Sequence, residues 1–144
     1  NFGNLLKMLE TRKHDIICGR TQVMSEANEE VILKPEPWKL LFFNSIPHPS
    51  SFVRRKIFKK YIFDENYTIA SDYKFFLTLF LKGFKFVEYK KVIAIHRRGG
   101  VSSNIHLSNK ELKKIRKECL GFFIFFLNSA KFIYKNIFSF FNKS

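Results

Sequence analysis

Asp72 is the residue best placed to do chemistry. The chain has three aspartates, Asp15, Asp64 and Asp72, and no two are close enough to form an Asp-x-Asp pair. That metal-carboxylate signature is therefore excluded within these 144 residues. Asp72 follows Ser71, a plausible N-cap, which sets the carboxylate in the first turn of a helix. The helix dipole favours negative charge there by roughly 0.3–1 kcal/mol. A carboxylate held ionised at a cleft could accept a proton from a substrate hydroxyl. The plainer alternative is an Asp that merely decorates a helix start, as Asp often does.

Two further groups carry polar chemistry. His48 stands between Pro47 and Pro49, which restrict its backbone, so the imidazole either meets a ligand or caps a local turn. His96, Arg97 and Arg98 precede Gly99-Gly100, placing cationic side chains beside a loop whose backbone can approach a ligand closely. Such a loop could hold a diphosphate; a solvated basic loop is the other reading. The four histidines are scattered, so no zinc motif forms, and Cys18 and Cys119 read as reduced core thiols.

The elements that must position these groups follow from periodicity. Residues 1–12 are patterned as an amphipathic helix and 14–24 as a strand with an apolar centre at Ile16, Ile17 and Cys18. The acidic, Pro-bearing stretch 25–37 suggests a loop or hairpin around Val31-Ile32-Leu33. Residues 38–43 suit a short helix after Pro37, 50–53 a short strand and 56–61 a turn of basic helix. The helix after Ser71 carries Phe75, Phe76, Leu79 and Phe80 and ends at Gly83. Residues 84–87 and 92–95 read as two strands, and 96–104 as a polar loop. Ser108-Asn109-Lys110-Glu111 matches a capping box, so a helix is expected to start there.

Net charge is +14, from 26 Lys+Arg against 12 Asp+Glu, and 19 residues are Phe. A surplus this large attracts polyanions: nucleic acid, anionic headgroups or phosphorylated ligands. The 119–141 stretch is aromatic with Lys interleaved, beside the basic run at 113–117. It reads either as a helix resting on an anionic membrane or as one packed on protein, and it is too short for a span. The chain opens at Asn1 inside an apparent helix, without a secretory signal pattern, which suggests a piece of a longer protein.

Three segments in order carry a family resemblance. Residues 46–55 (IPHPSSFVRR), 63–67 (FDENY) and 69–77 (IASDYKFFL), continued by 92–103 (VIAIHRRGGVSS), resemble glycosyltransferase family two. The match spans roughly residues 1–105. It implies an α/β fold, the C-terminal, acceptor-side part of a GT-A domain that binds a nucleotide-diphosphate sugar and inverts the anomeric centre. The residue matching the family's general base is Asp72. His48, Ser50 and Ser51 would shape the pocket, and His96, Arg97, Arg98, Gly99 and Gly100 would approach the diphosphate. A divalent cation, Mg or Mn, is expected in the intact enzyme, its ligands mostly outside this chain. Many members carry a second acidic residue shortly after the base; Lys74 holds that place here.

The resulting expectation is a partial GT-A domain over 1–105 followed by a basic, then aromatic helical tail over 106–144. The intact protein would act on a glycan or lipid-linked acceptor, cytoplasmic and peripheral at the inner face of the cell membrane. The rival expectation is a non-catalytic basic module binding membrane or nucleic acid. No nucleic-acid motif appears, and nucleic acid is not expected among the partners.

Overall fold

A computed structural model describes residues 2–11, 13–24, 30–97 and 104–121. The architecture is mixed α/β: an open four-stranded sheet with helices packed against it. Helix α1 (Phe2–Glu10) leads into β1 (Ile16–Met24), the strand around which the sheet is built. Its first four residues are buried in succession, as a strand covered on both faces requires.

One edge of β1 is shared by two short strands. β3 (Ser51–Val53) pairs antiparallel with Ile16–Cys18, and β2 (Glu30–Leu33) pairs antiparallel with Thr21–Met24. Of the loop and the hairpin left open around Val31-Ile32-Leu33, the antiparallel pairing favours the hairpin. Ser50 fills the join between the two partners. Its buried hydroxyl accepts from Thr21 Oγ1 at 2.9 Å and donates to the Gly19 carbonyl at 2.8 Å.

Along the other edge runs β4 (Phe86–Arg97), parallel to β1. The sequence suggested two strands here, interrupted by the polar run Glu88-Tyr89-Lys90-Lys91. In the structure one strand continues through, and the interruption is absorbed as irregular register between Cys18 and Thr21. Gly19 makes this possible. A Cβ there would lie 2.5 Å from Ile93 Cδ1 and 2.7 Å from its Cγ1, so Ile93 folds over bare backbone. The Arg20 guanidinium meets Glu88 at 2.8 Å across the same irregularity.

Between the sheet strands lie two 3₁₀ turns, Pro37–Leu41 and His48–Ser50, and the short α2 (Arg55–Phe58). The helix expected after Pro37 is thus a tighter turn. Helix α3 (Ser71–Leu81) is the centre of the core: Tyr73, Phe75, Phe76, Leu77 and Leu79 are all buried. Ser71 was expected as its N-cap, but Ala70 occupies that position and makes no side-chain hydrogen bond. Gly83, at φ +76°, ends the helix as its sequence position implied.

The last described helix, α4, covers residues 105–121. Its start lies earlier than the capping-box pattern suggested, because the Asn104 side chain accepts the Leu107 N–H and caps it. Ile115 and Leu120 enter the same core cluster as α3 and β1. Residues of the tail expected over 106–144 thus share a core with the part expected over 1–105. The aromatic stretch beyond residue 121 lies outside the described residues.

Candidate functional site

A cavity of about 910 Å³ opens between β1, β2, the segment 43–49 and the start of α3. Its walls are largely apolar, with Val23, Ile32, Ile46 and Phe63 among them. Asp72, His48 and His96 supply polar chemistry. Three residues from distant parts of the sequence thus meet in one concavity. Each arrives on a different element: Asp72 on the first turn of α3, His48 on the turn His48–Ser50, and His96 near the end of β4.

The Asp72 carboxylate is held from two directions. Oδ1 accepts the Tyr73 backbone N–H at 2.7 Å, and Oδ2 accepts the Asn44 side-chain amide at 3.2 Å. Burial pushes its pKa above the usual carboxylate range; the bonds from Asn44 and Tyr73, and the positive character of His48, oppose this and do not cancel it. The helix start alone would hold Asp72 low, as expected from the sequence, but desolvation outweighs it. A carboxylate raised in this way is a stronger proton acceptor once ionised. The His48 ring is itself set edge-on to Phe63, with centroids 6.1 Å apart.

Ser50 and Ser51, expected to shape the pocket, bond to other protein groups. Ser50 is fully buried and bonded within the sheet join, and Ser51 donates to the Pro47 carbonyl at 2.9 Å. Neither lines the cavity. Both hydroxyls reach the Pro47 carbonyl at the start of the His48 turn. The backbone of Arg97 ends β4 opposite Met24. Arg98, Gly99 and Gly100 lie outside the described residues.

Two residues missed at the level of sequence complete the arrangement. Asn44 sits in an aperiodic stretch before Pro47, and nothing local marks it as a partner of a residue 28 positions away. The sequence pattern has Glu111 closing a capping box on its own helix. Its carboxylate instead crosses to the loop entering α3 and accepts the backbone N–H groups of Thr68, Ile69 and Ala70, at 2.9, 2.9 and 2.8 Å. Burial would raise this buried carboxyl, but the three amide bonds outweigh it and its pKa lies below the ordinary value. Lys74, in the place of a second acidic residue, pairs with Asp64 at 2.6 Å and Glu118 at 2.9 Å. It has a structural task.

Among the described residues no group of three or more His, Cys, Asp or Glu is arranged to hold a metal ion. Burial pushes the Cys18 thiol up to about 11, against a hydrogen bond with Ser51, so it is no nucleophile near neutrality. No helix among the described residues is long and apolar enough to cross a membrane. Comparison with family models, with curated proteins and with solved structures returns no match.

Proposed function

We propose that this chain is the acceptor-side part of an inverting glycosyltransferase of GT-A type, with Asp72 as the general base. The observation that carries the reading is a half-buried carboxylate facing a 910 Å³ concavity together with two imidazoles. The ordered resemblance of residues 46–55, 63–67, 69–77 and 92–103 to glycosyltransferase family two supplies the reaction class. Asp72 removes the proton from an acceptor hydroxyl as its oxygen attacks the anomeric carbon of a nucleotide-diphosphate sugar. The new glycosidic bond forms as the bond to the diphosphate breaks, and the nucleoside diphosphate leaves with the electron pair.

Other residues support this step by position. Asn44 and the Tyr73 amide fix the direction of the carboxylate, and Ile32, Ile46 and Phe63 give the cavity an apolar wall. His48 lies close enough to influence the charge on Asp72 and can donate to the acceptor. Among the described residues no group of three or more His, Cys, Asp or Glu is placed to hold a metal ion; the cation expected in the intact enzyme would be held mostly by residues outside this chain, and no step is assigned to it. The acceptor is a glycan or a lipid-linked sugar, and the place of action is the cytoplasmic face of the cell membrane.

The decisive experiment replaces Asp72 in the intact protein. Asp72→Asn keeps shape and neutralises the base, and transfer falls by roughly 10²–10⁴-fold, the usual contribution of acid–base catalysis, while donor binding persists. Turnover at the wild-type rate in that variant defeats the assignment.

A further inference from the structure

Trp38, Phe42 and Phe43 are 57%, 58% and 47% exposed, side by side on the Pro37–Leu41 turn and the two residues after it. The Trp38 and Phe42 rings meet edge-on with centroids 6.3 Å apart, and the Lys39 ammonium stands 5.4 Å from the Trp38 ring. Three large exposed aromatics within six residues form an apolar ridge with a polar handle, the composition favoured at a membrane–water interface.

A second, independent feature adjoins it. The Arg116 guanidinium of α4 donates to the Phe42 carbonyl, which ties the helix to the ridge. Lys113 lies three residues before Arg116, one turn along the same face, and Lys117 lies four beyond Lys113. Both lysines are exposed, and no carboxylate among the described residues forms an ion pair with either. Glu36 turns to Lys39, and Glu118 turns chiefly to Lys74. Aromatic ridge and unpaired cations together match the two layers of an anionic bilayer surface: rings at the headgroup–acyl boundary, ammonium groups at the phosphates.

We propose that the Trp38, Phe42 and Phe43 ridge, flanked by Lys113 and Lys117, is a seat for an anionic lipid bilayer, separate from the 119–141 stretch. Phe43 and Asn44 also line the cavity that holds Asp72, so seating brings the mouth of that cavity to the lipid surface. It then faces an acceptor whose hydroxyl is carried on a lipid. This last consequence rests on the base assigned to Asp72; the membrane seat does not.

Trp38 is the sole tryptophan and reports directly on the ridge. The full chain is titrated with phosphatidylcholine vesicles, with and without phosphatidylglycerol, while tryptophan emission is followed. Emission should shift to the blue, and bromine-labelled acyl chains should quench it, when phosphatidylglycerol is present. Lys113→Gln with Lys117→Gln should weaken binding roughly tenfold. Phe42→Ser with Phe43→Ser should weaken it as well, with the circular dichroism spectrum unchanged. Vesicle capture that leaves Trp38 emission untouched overturns the proposal, since contact then lies elsewhere. So does a Trp38 already shielded from a water-soluble quencher before vesicles are added, which means this chain or a second copy covers the ridge. Duplex DNA that produces the same shift and competes with vesicles also overturns it. Asp72→Asn should bind vesicles as the wild type does, so failure of the seat and failure of the transferase reading appear separately.

Discussion

Asp72 is held where it costs stability. Its pKa is raised in the folded chain, chiefly by burial, so the fold prefers the protonated form. The sign follows from linkage: below its ordinary value of about 3.9 the residue is neutral in both states and neutral to stability. As pH rises through that value and on through the folded one, the folded state must bear an ionised group it solvates poorly. Asp72→Asn removes the penalty while Asn can still accept the Tyr73 amide. The thermal midpoint of the variant at pH 7 should equal or exceed that of wild type, with the difference vanishing below pH 4. A neutral-pH midpoint well below wild type would show that the carboxylate stabilises the loop. Loss of transfer combined with a gain in stability is the pattern of a functional residue. His48 adds to the same balance, since the positive character of its ring opposes the rise.

At the scale of elements, the order of strands and helices was largely legible because it follows apolar periodicity. The hairpin, the strand at 14–24 and the core helix ending at Gly83 all obey that rule. What escaped depends on contacts between distant residues. Nothing local in the 14–24 strand marks Gly19 as the point over which Ile93 folds, the contact that lets β4 run through its polar interruption. Gly19→Ala should cost about 1–3 kcal/mol by overpacking. Ile93→Ala in the same chain should recover much of that loss, a coupling readable in urea denaturation. Glu111 likewise matched a local motif but serves a remote one. Glu111→Ala strips the charged acceptor from three amides and should destabilise by about 2–4 kcal/mol, with faster hydrogen exchange at Ile69 and Ala70. Glu111→Gln, which keeps an acceptor oxygen, should lose less. Of the candidate site, Asp72 and His48 could be picked out from their neighbours in sequence; Asn44 could not, because no pattern encodes the approach of an aperiodic loop to a helix start.

At the scale of the whole molecule, acid should weaken the fold. Asp64 is brought down to about 2 by hydrogen bonds from Lys74 and then Asn66; Glu118 is also lowered, first by Lys74 and then by Tyr67; Glu111 is lowered by its amides. Groups lowered in the folded state contribute stability above their ordinary values, and that contribution fades as pH falls through the folded ones. Unfolding should therefore become easier from about pH 4 downward toward pH 2, and added salt should soften the loss by screening a chain already at +14. Urea midpoints at pH 6, 4 and 3 test this, and a flat series would refute it.

The shared edges of β1 also govern how the molecule can assemble. Asp15 and Lys85, 70 residues apart, are hydrogen-bonded at the lower end of the parallel pair, so closing that pair requires a long loop to be gathered first. Loop closure of this kind slows folding, because the entropy is lost before the contacts form. During synthesis β4 follows β1 only after β2, β3 and α3 have been made. Until then the edge of β1 that β4 covers lacks that partner, so yield in a cell should depend on chaperone supply and on low growth temperature more than on the equilibrium stability of the finished fold.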